Sequence, residues 1–550
     1  MITAAEAMVK SLEQEGVEVV FGYPGAAICP FYDRLASSPI RHILVRQEQN
    51  AGHAASGYAR IARKPAVCVA TSGPGATNLI TALATAYMDS IPLVAITGQV
   101  SSELLGRDVF QEVDITGSAE PFTKHSYLVK NAADLPRILR EAFYIAGTGR
   151  QGPVLVDVPI DIQNTPIEFC YPDAVSIRGY KPSSKGNLNQ LRRVLAAMHE
   201  SHRPVICAGG GVLGANAEPQ VRALAEACSI PVVSTMMGLG AMPTGHPLYF
   251  GMLGMYGCRT ANAAIAESDL LILVGARVGD RAMQSPGVLQ RRTRVIHIDI
   301  DPAEIGKNME TNIPLVGDAR LVLEQILEHR PALDTADWLD ALRAWQREER
   351  AAAPRACGPA AGGCTVDPNR LVARLSARME DDGVYVSDVG QNQIWSARGV
   401  NLRTGRFITT GGMGTMGYAL PAAIGAKLAA PQRQVVAVCG DGALQMSMME
   451  LGTLVQHNIA VKLVVLCNRR LGMVREVQDN QYSGRRIAVD LGGLPDFCKI
   501  AAAYNIPSAA LCDEAGLDAA LDALLGGDGP FLLQVAVDPD EPSLRGGYQP

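Results

Sequence analysis

Two polar side chains follow two successive apolar runs near the end of the chain. Asp441, between Gly440 and Gly442, comes directly after the run QVVAVC, and Asn468 comes directly after the run VKLVVLC. The intervening segment ALQMSMMELGTLVQ has a helical pattern, so this stretch predicts two parallel strands joined by one helix. Neighbouring parallel strands end at the same sheet edge, where open α/β sheets bind ligands, so we expect Asp441 and Asn468 to lie close together.

This pair predicts a site for Mg²⁺ and a phosphate group. A carboxylate beside an amide oxygen suits Mg²⁺, which usually completes its shell with phosphate oxygens and water. Gly440 and Gly442 leave backbone N–H groups accessible, and the first turn of the following helix favours an anion. A GDG sequence alone is more often an ordinary turn, whereas GDG with an Asn at the next strand end is a much more specific signal.

Glu48 is the second candidate for chemistry. It lies in the segment VRQEQNAGHAASGYAR, between a short predicted strand and an apolar helix. Considered alone, it is a solvated acid at a helix N-terminus, where the helix dipole favours negative charge. A chemical role for Glu48 therefore depends on evidence from the rest of the chain.

The elements around these residues alternate between strand and helix in three blocks. This predicts an α/β fold of three doubly wound parallel-sheet domains, at residues 1–165, 188–327 and 367–540, with linkers near 175–187 and 351–364. The segments GYARIARKPAVCVATSGPGATN and GYALPAAIGAKLAAPQRQVVAVCGDGALQ share one pattern of helix, strand, Gly-rich turn and helix. The first and third domains are therefore expected to be related. The clearest predicted strands are Val19–Phe21, Ala66–Ala70, Leu93–Thr97, Val154–Val158, Val205–Ala208, Val232–Ser234, Leu270–Val274 and Val295–Ile300.

Composition narrows the possible classes of function. The 550 residues carry a formal net charge of −6, which gives no basic surface for nucleic acid. Charges interrupt the N-terminal segment, which predicts neither a signal peptide nor a membrane anchor, and no stretch approaches the roughly 20 apolar residues of a span. Many of the 12 scattered cysteines lie in apolar contexts, as Cys68, Cys207 and Cys439 do, so we expect reduced core thiols in a cytoplasmic protein.

The GDG segment with Asn468 resembles the diphosphate-binding motif of thiamine-diphosphate-dependent enzymes, although Cys467 stands where that motif typically has a first Asn. A closer resemblance, to the acetolactate synthase family, covers nearly the whole chain, from Met1 to about Asp538. It is carried by the segments GYPGAAICPFYD, TSGPGATN, GRDVFQEVD followed by FTKH, GMLGMYGC and LGMVREVQ. The resemblance implies that the three domains are, in chain order, pyrimidine-binding, FAD-binding-like and diphosphate-binding.

The resemblance also implies which residues hold the cofactor. Asp441, Asn468 and the backbone carbonyl of Arg470 would bind Mg²⁺, and Met416 would support the bent cofactor. Glu48 would hydrogen-bond the aminopyrimidine ring, so that the ring can remove the C2 proton of the thiazolium. The family usually has His at the position of Asn392. The other positions that match thiamine diphosphate contacts are Gly25, Gly390, Gln391, Asn392, Gly414, Gly440, Gly442, Ala443 and Met473.

Further matched positions concern the substrates and FAD. Phe110 and Gln111 match pocket residues near the reacting carbon. Arg281 matches an arginine that binds the carboxylate of the second substrate, and a surface arginine is the ordinary alternative. FAD is mostly structural in this family, and from the residues alone AGGGV after a strand is only a generic dinucleotide turn. The implied FAD contacts are Arg150, Gly209, Gly210, Tyr256, Arg277, Asp299 and Asp318.

The implied activity is acetolactate synthesis for branched-chain amino acids. Pyruvate is decarboxylated, and the two-carbon unit left on the cofactor condenses with a second 2-keto acid to give 2-acetolactate or 2-aceto-2-hydroxybutyrate. The implied partners are 2-keto acids and a second copy of the chain, in a homodimer or homotetramer, because the family builds its site from two subunits. A small regulatory subunit is a further candidate partner.

Two alternatives stay open from the sequence. One is another thiamine-diphosphate-dependent carboligase or decarboxylase, and the other is a non-catalytic paralogue that binds the cofactor. Retention of Glu48, Asp441 and Asn468 together argues against the second. Val477 stands where the family usually has Trp, and Ile160 where it usually has Lys, so the acceptor substrate is left undetermined.

Overall fold

Three parallel sheets organise the chain. The structure, a computed structural model, describes residues 1–283, 287, 292–352 and 365–545. Each of the three large sheets has six strands, all parallel, and the predicted α/β class of three parallel-sheet domains is confirmed. Neighbouring side chains of one strand enter different cores, as Val20 and Phe21 do, so helices bury both faces. The predicted linker at 351–364 lies outside the described residues from residue 353 onward.

The N-terminal sheet has the strand order β3-β2-β4-β5-β7-β6, and β1 pairs with β8 in a separate antiparallel ribbon. Its strands are β1 (Ile2–Thr3), β2 (Val19–Gly22), β3 (Arg41–Leu44), β4 (Ala66–Ala70), β5 (Leu93–Gln99), β6 (His125–Leu128), β7 (Pro153–Pro159) and β8 (Pro166–Ile167). Its helices are α1 (Ala4–Gln14), α2 (Cys29–Leu35), α3 (Glu48–Ala62), α4 (Pro74–Asn78), α5 (Ile80–Asp89), α6 (Ile115–Ala119), α7 (Leu135–Gly147) and α8 (Ile160–Asn164).

The central sheet has the order β11-β10-β9-β12-β13-β14, which is the strand order of dinucleotide-binding sheets. Its strands are β9 (Pro204–Ala208), β10 (Val232–Ser234), β11 (Tyr249–Met252), β12 (Leu270–Val274), β13 (Arg294–Asp299) and β14 (Ile313–Val316). Its helices include α9 (Leu188–His199), α10 (Gly210–Gly214), α11 (Glu218–Cys228), α12 (Arg259–Glu267), α13 (Ala319–Glu328) and α14 (Ala336–Ala352).

The C-terminal sheet has the order β16-β15-β17-β18-β20-β19. Its strands are β15 (Val384–Ser387), β16 (Arg406–Ile408), β17 (Val435–Gly440), β18 (Lys462–Cys467), β19 (Ser508–Leu511) and β20 (Phe531–Ala536). Its helices are α15 (Pro368–Arg378), α16 (Gln391–Gly399), α17 (Ala419–Ala429), α18 (Asp441–Leu444), α19 (Leu451–Gln456), α20 (Gly472–Gln481), α21 (Phe497–Ala503) and α22 (Leu517–Leu525).

The first and third sheets share one topology. Numbering the six strands of each sheet in chain order gives 2-1-3-4-6-5 in both cases. The predicted relation between these two domains therefore appears in the fold, and it pairs α3 with α17 and the turn after β4 with the turn after β17. The single helix predicted across 443–456 is wrong. The chain forms α18 and α19 instead, because Ser447, with φ −139°, leaves helical geometry between them.

Helices α3 and α17 join the first and third domains. The two helices are antiparallel: Gly57 packs on the backbone of Ala422, and Gly425 packs on the backbone of Ala54. Ser56 and Tyr418 add a buried hydroxyl–hydroxyl hydrogen bond of 2.9 Å. Because the helix backbones touch, this contact fixes how the two domains, and the sheet edges they carry, are arranged in one chain.

Two expectations from composition can be compared with the described residues. None of their helices is both long enough and apolar enough to cross a membrane. The ten cysteines within the described ranges are free thiols, and Cys68, Cys207 and Cys439 are buried as their apolar contexts predict.

Candidate functional site

Asp441 and Asn468 follow adjacent strands, as predicted. β17 pairs directly with β18 in parallel, Asp441 begins α18 immediately after β17, and Asn468 follows β18. The Asp441 side chain is 1% exposed, and its two oxygens accept backbone N–H groups of Gly442 at 2.8 Å and Arg469 at 2.7 Å. Burial raises the pKa of Asp441 to about 6, although these hydrogen bonds act in the opposite direction.

The amide of Asn468 is held at both ends. Its oxygen accepts the backbone N–H of Arg470 at 3.0 Å, and its nitrogen donates to Gln391 Oε1 at 2.9 Å. The Arg470 side chain turns outward to Asp490, with a nitrogen–oxygen distance of 2.8 Å. Beside these residues lies an open cleft of about 430 Å³, lined by Asn468, Arg469, Arg470, Asp490, Leu491, Gly492, Gly493, Leu494 and Pro539.

Asp388, which follows β15 directly, ties two loops of this edge together. Its buried carboxylate accepts the backbone N–H groups of Gly417 at 3.0 Å and Ala419 at 2.8 Å, and burial raises its pKa to about 6. Gly390 and Gly414 both have positive φ, at 120° and 65°, where a side chain would be strained. Met416 lies near the Asp441 turn, 3.7 Å from where a Cβ on Gly442 would be.

The side chains of Gln391 and Asn392 point into the protein. Gln391 Nε2 donates to Glu476 Oε1 at 2.9 Å and to the carbonyl of Glu541 at 2.8 Å. Asn392 Nδ2 donates to the carbonyls of Asp388 and Val438. Because these amide N–H groups are already used, a phosphate contact from this segment would come from its backbone N–H groups, at the start of α16.

Glu48 begins α3 at the carboxyl edge of the N-terminal sheet. Asn78 Nδ2 donates to Glu48 Oε2 at 2.9 Å, and a Cβ on Gly75 would be 3.3 Å from Glu48 Oε1. Thr71, at the end of β4, has a buried hydroxyl without a hydrogen-bond partner in the described residues. A Cβ on Gly25 would be 2.5 Å from the Thr71 side chain, so Gly25 keeps the space above Thr71 narrow.

Gln111 and Phe110 lie on the loop beside this edge. Gln111 has a positive φ of 59°, and its Cβ would be 2.9 Å from a Cβ on Gly73, which follows β4. Phe110 is 86% exposed. The sequence analysis identified the segment TSGPGATN but not its residues Thr71 and Asn78 as part of the site. Their positions next to Glu48 depend on the fold of α4.

The two half-sites lie at opposite ends of the α3–α17 helix pair. Nine residues separate Glu48 from Gly57, which is about 13 Å of helix. Since the helices are antiparallel, Glu48 lies at the C-terminal end of α17, whereas Met416 precedes its N-terminal end. The Asp441 turn lies at that N-terminal end too, because Gly417 packs on Met446. One chain therefore does not bring Glu48 and Asp441 together.

The positions predicted for FAD lie mainly at the carboxyl edge of the central sheet. The loops after β9 and β12 touch where the strand order reverses, through a 2.9 Å hydrogen bond from Gly211 N to the carbonyl of Gly275. A Cβ on Gly210 would be 3.2 Å from Met237. Arg277 Nη2 donates to the carbonyl of Met88 at 2.7 Å, in the N-terminal domain.

Three charged positions of this group have protein partners. Arg150 Nη1 pairs with Asp301 at 3.1 Å and Glu304 at 3.0 Å. Asp299 Oδ1 accepts the backbone N–H of Asp301 at 2.9 Å, and burial raises the pKa of Asp299 to about 6. Asp318 caps α13 by accepting the N–H of Leu321 at 3.1 Å.

Tyr256 and Arg281 lie on the side of the central domain that meets the C-terminal domain or solvent. The carbonyl of Tyr256 accepts a hydrogen bond of 3.0 Å from Arg398, and Tyr256 packs against the core of the C-terminal domain. The Arg281 side chain is 68% exposed and its nearest acid is the adjacent Asp280, at 3.6 Å. In this single chain, Arg281 is therefore as exposed as an ordinary surface arginine.

Three family models match the chain in the order of its domains. The N-terminal TPP binding domain of thiamine pyrophosphate enzymes matches residues 2–118, the central domain of these enzymes matches 191–326, and their C-terminal TPP binding domain matches 388–535. The matched N- and C-terminal segments contain the Glu48 edge and the Asp441–Asn468 edge respectively. Fold and site together define a thiamine pyrophosphate enzyme.

Full-length relatives narrow the class. The chain is 40% identical over 559 residues to a probable acetolactate synthase large subunit of Methanococcus aeolicus, covering 98% of this chain and 92% of that one. It is 45% identical to an acetolactate synthase large subunit of Corynebacterium glutamicum, with coverages of 90% and 80%. It is 43% identical to the acetolactate synthase isozyme 3 large subunit of Escherichia coli, with coverages of 92% and 89%. The chain belongs to the acetolactate synthase large-subunit family.

Proposed function

We propose that this protein decarboxylates pyruvate and condenses the remaining two-carbon unit with a second 2-keto acid, giving 2-acetolactate or its homologue. One observation carries the proposal: a buried Asp441 and Asn468 at adjacent strand ends, in a chain 40% to 45% identical to acetolactate synthase large subunits over nearly its whole length. The pair supplies a metal and diphosphate site, and Glu48 supplies the acid that this chemistry needs at the other sheet edge.

The residues at the Asp441 edge fit Mg²⁺. Asp441 is buried with no ion pair to a cationic side chain of the described residues, and a bound divalent cation would offset the cost of burying its charge. The Asn468 oxygen has one lone pair left, because in the described part of the chain only Arg470 N donates to it. Asp441, Asn468 and the Arg470 carbonyl would hold the metal. The donors are oxygen atoms throughout, as Mg²⁺ prefers.

Thiamine diphosphate, when bound, supplies a nucleophilic carbon and an electron sink for decarboxylation. The residues Gly25, Gly390, Gly414, Met416, Gly440, Gly442, Ala443 and Met473 are the proposed walls of its site. Glu48 would offer one carboxylate oxygen for a proton-transfer hydrogen bond, while Asn78 holds the other oxygen at 2.9 Å. Phe110 and Gln111 would close the space over the reacting carbon.

We propose that the working site forms between two copies of the chain. Within one chain Glu48 and the Asp441 turn lie at opposite ends of a helix pair, so Glu48 of one copy must meet the Asp441 edge of another. Both edges also expose apolar side chains, which a second copy would cover. These are Tyr23 and Phe110 at the Glu48 edge and Met413, Met446, Val474 and Val477 at the Asp441 edge.

We further propose that the central domain binds FAD. Three observations support a ligand at this edge: the strand order, the glycine contact between the loops after β9 and β12, and a buried His297 nitrogen that has no hydrogen-bond partner among the described residues. Gly209, Gly210, Arg277 and Asp299 would contact it, with Arg150, Tyr256 and Asp318 at its margins. Purified protein should then be yellow and release flavin on denaturation, whereas colourless protein that does not take up added FAD contradicts this part.

The remaining proposals concern substrates and partners. Arg281 would bind the carboxylate of the second keto acid, and its exposure in one chain is compatible with a pocket completed by a second copy. Several relatives are called large subunits, and we propose that this chain likewise works with a smaller regulatory chain. Co-purification of the tagged chain from its own cells would test that partner.

Product analysis tests the proposed reaction. Purified protein with Mg²⁺ and thiamine diphosphate is given pyruvate, with and without 2-ketobutyrate, and the products are acidified. Acetoin after acid treatment supports acetolactate formation, and Asp441→Ala should abolish it. Acetaldehyde as the only product would indicate a decarboxylase, and cofactor binding without any turnover would indicate a non-catalytic paralogue.

A further inference from the structure

Glu476 is a buried carboxylate that no step of the proposed reaction uses. It lies on α20, is 8% exposed, and accepts three hydrogen bonds. Its Oε1 accepts from Gln391 Nε2 at 2.9 Å and from the backbone N–H of Ser543 at 2.5 Å, and its Oε2 accepts from Ser543 Oγ at 2.7 Å. A buried carboxylate is costly unless its oxygens are satisfied, so these donors fix the side chain in one orientation.

Gln391 carries this constraint to the metal site. Both of its N–H groups have acceptors, Glu476 and the carbonyl of Glu541, so its oxygen must face the other way. That oxygen accepts the amide nitrogen of Asn468 at 2.9 Å. The Gln391 amide also lies against Gly472, at the start of α20, where an added Cβ would overlap it. The nitrogen of Asn468 is thereby engaged by Gln391, while its oxygen accepts only the backbone N–H of Arg470 among the described residues.

We propose that Glu476 is a positioning residue that sets the amide orientation of Asn468 through Gln391. The inference rests on the proposed Mg²⁺ site. An amide can present either an oxygen or an N–H₂ group, and only the oxygen binds a cation. The hydrogen-bonded row Glu476–Gln391–Asn468 selects the oxygen. Residues that hydrogen-bond to a metal ligand commonly fix the orientation of that ligand in this way.

The same row connects the metal site to the C-terminal segment 538–545. Besides Ser543, this segment is held by Trp395 Nε1, which donates to the carbonyl of Pro542 at 3.1 Å, and by Arg475 Nη1, which donates to that of Pro539 at 3.2 Å. Arg545 pairs with Asp367 at 2.8 Å. Because coupling between two sites is reciprocal, Mg²⁺ binding at Asn468 should tighten the hydrogen bond between Ser543 and Glu476.

The test titrates Mg²⁺ into the full-length protein with saturating thiamine diphosphate, and follows amide hydrogen exchange of the peptide that contains Ser543. Glu476→Ala should weaken Mg²⁺ binding about 10- to 100-fold and abolish the Mg²⁺-dependent protection of Ser543. Glu476→Gln can still accept from Gln391 and donate to Ser543 Oγ, so it should stay within about threefold of wild type. Glu450→Ala is the matched control, since Glu450 is a buried, fully hydrogen-bonded carboxylate outside the row.

Asp441→Ala separates failure of this inference from failure of the metal site. If Asp441→Ala loses Mg²⁺ binding while Glu476→Ala binds Mg²⁺ and shows Ser543 protection like the wild type, the positioning role of Glu476 is overturned and the metal site stands. If Asp441→Ala binds Mg²⁺ normally, the metal site itself is misplaced. Should Glu476→Ala fail to fold, Ser543→Ala replaces it: removal of one hydrogen bond to Glu476 should weaken Mg²⁺ binding about two- to tenfold. Unchanged Mg²⁺ affinity and unchanged amide hydrogen exchange in Ser543→Ala also overturn the inference.

Discussion

Gly425 of α17 packs directly on the backbone of Ala54 in α3, leaving no room for even one methyl group at position 425. Gly57 of α3 makes the reciprocal contact with Ala422 of α17. Each helix therefore uses one glycine to meet the other at backbone distance. This crossing determines where both half-sites point, because α3 begins at Glu48 and the segment before α17 contains Met416.

Gly425→Ala should lower the stability of the contact between the N- and C-terminal domains. The new methyl group would overlap the Ala54 carbonyl, and overpacking of this kind typically costs about 1–3 kcal/mol or more. We expect a lower thermal midpoint and reduced activity with the same cofactors. Gly245→Ala is the control, since nothing lies within 4 Å of a Cβ there. Equal midpoints for the two variants would show that the helices can separate at no cost.

Mixed dimers of two inactive variants should regain activity. Glu48→Gln and Asp441→Ala each disable one half of a site, and the halves come from different copies if the proposal is right. A mixed dimer then holds one intact site of two, so random mixing should restore about a quarter of wild-type activity. The measurement is acetolactate formation after the two chains are unfolded and refolded together. Activity that stays at the level of the single variants would place each complete site within one chain.

Glu48→Gln alone should leave cofactor binding largely intact and slow C2 proton exchange of bound thiamine diphosphate. Loss of one general acid–base group typically costs about 10²- to 10⁴-fold in rate. Exchange is measured by NMR after quenching at set times. Glu120→Gln, an exposed acid in the same domain, should exchange at the wild-type rate. Wild-type exchange in Glu48→Gln would remove Glu48 from the chemistry.

Some of the site could be predicted from sequence because it depends on local patterns. β4, β10 and β12 have the predicted bounds, and each is a short apolar run bounded by turn-forming residues. Asp441 and Asn468 come together because consecutive strands of one unit are adjacent, which is a general rule of parallel sheets. The relation between the first and third domains was visible for the same reason, as a repeated order of helix, strand and turn.

Other features depend on contacts distant in sequence and could not be predicted. The segment between α18 and α19 packs on the other domain, where Glu450 accepts hydrogen bonds from Arg46 N at 2.9 Å and from Asn50 at 2.9 Å. The row from Glu476 through Gln391 joins residues 85 positions apart, and Ser543 is 67 positions from Glu476. No periodicity marks such pairings, since tertiary packing alone creates them.

Asp157 should make stability fall as the pH rises. This buried carboxyl group in β7 accepts hydrogen bonds from Thr97 at 2.6 Å and Gln99 at 3.0 Å, yet burial raises its pKa to about 7. A folded pKa above the unfolded value means that its contribution is complete below about pH 4 and is lost as the pH rises through about 7.

The variant Asp157→Asn removes this titration. From pH 5 to pH 8, the thermal midpoint of the wild type should therefore fall by a few degrees relative to the midpoint of Asp157→Asn. Asp518→Asn is the control, because a hydrogen bond from Arg374 lowers the pKa of Asp518, whose charge is then constant over this range. Parallel pH dependence of wild type and Asp157→Asn would mean that Asp157 titrates normally.

The acceptor substrate should depend on Val477. This residue lies on α20, the helix that follows Asn468, and is 39% exposed beside the likewise exposed Val474. The acetolactate synthase family usually has Trp here, which presses against the extra methyl of 2-ketobutyrate. A valine reaches less far, so that apolar contact is lost, and one methyl group in an apolar pocket is worth roughly 1–3 kcal/mol of discrimination.

We therefore predict that the enzyme prefers 2-ketobutyrate over pyruvate as acceptor only weakly, by about tenfold less than a homologue with Trp. The same change widens the substrate channel, so inhibitors that stack on the Trp should bind less tightly. Val477→Trp should restore part of both effects, and Val455→Trp, at a comparably exposed valine on α19, is the control. A competition assay that supplies both keto acids measures the product ratio. A strong bias toward 2-aceto-2-hydroxybutyrate in the native enzyme, unaltered by Val477→Trp, would mean that another residue sets the acceptor preference.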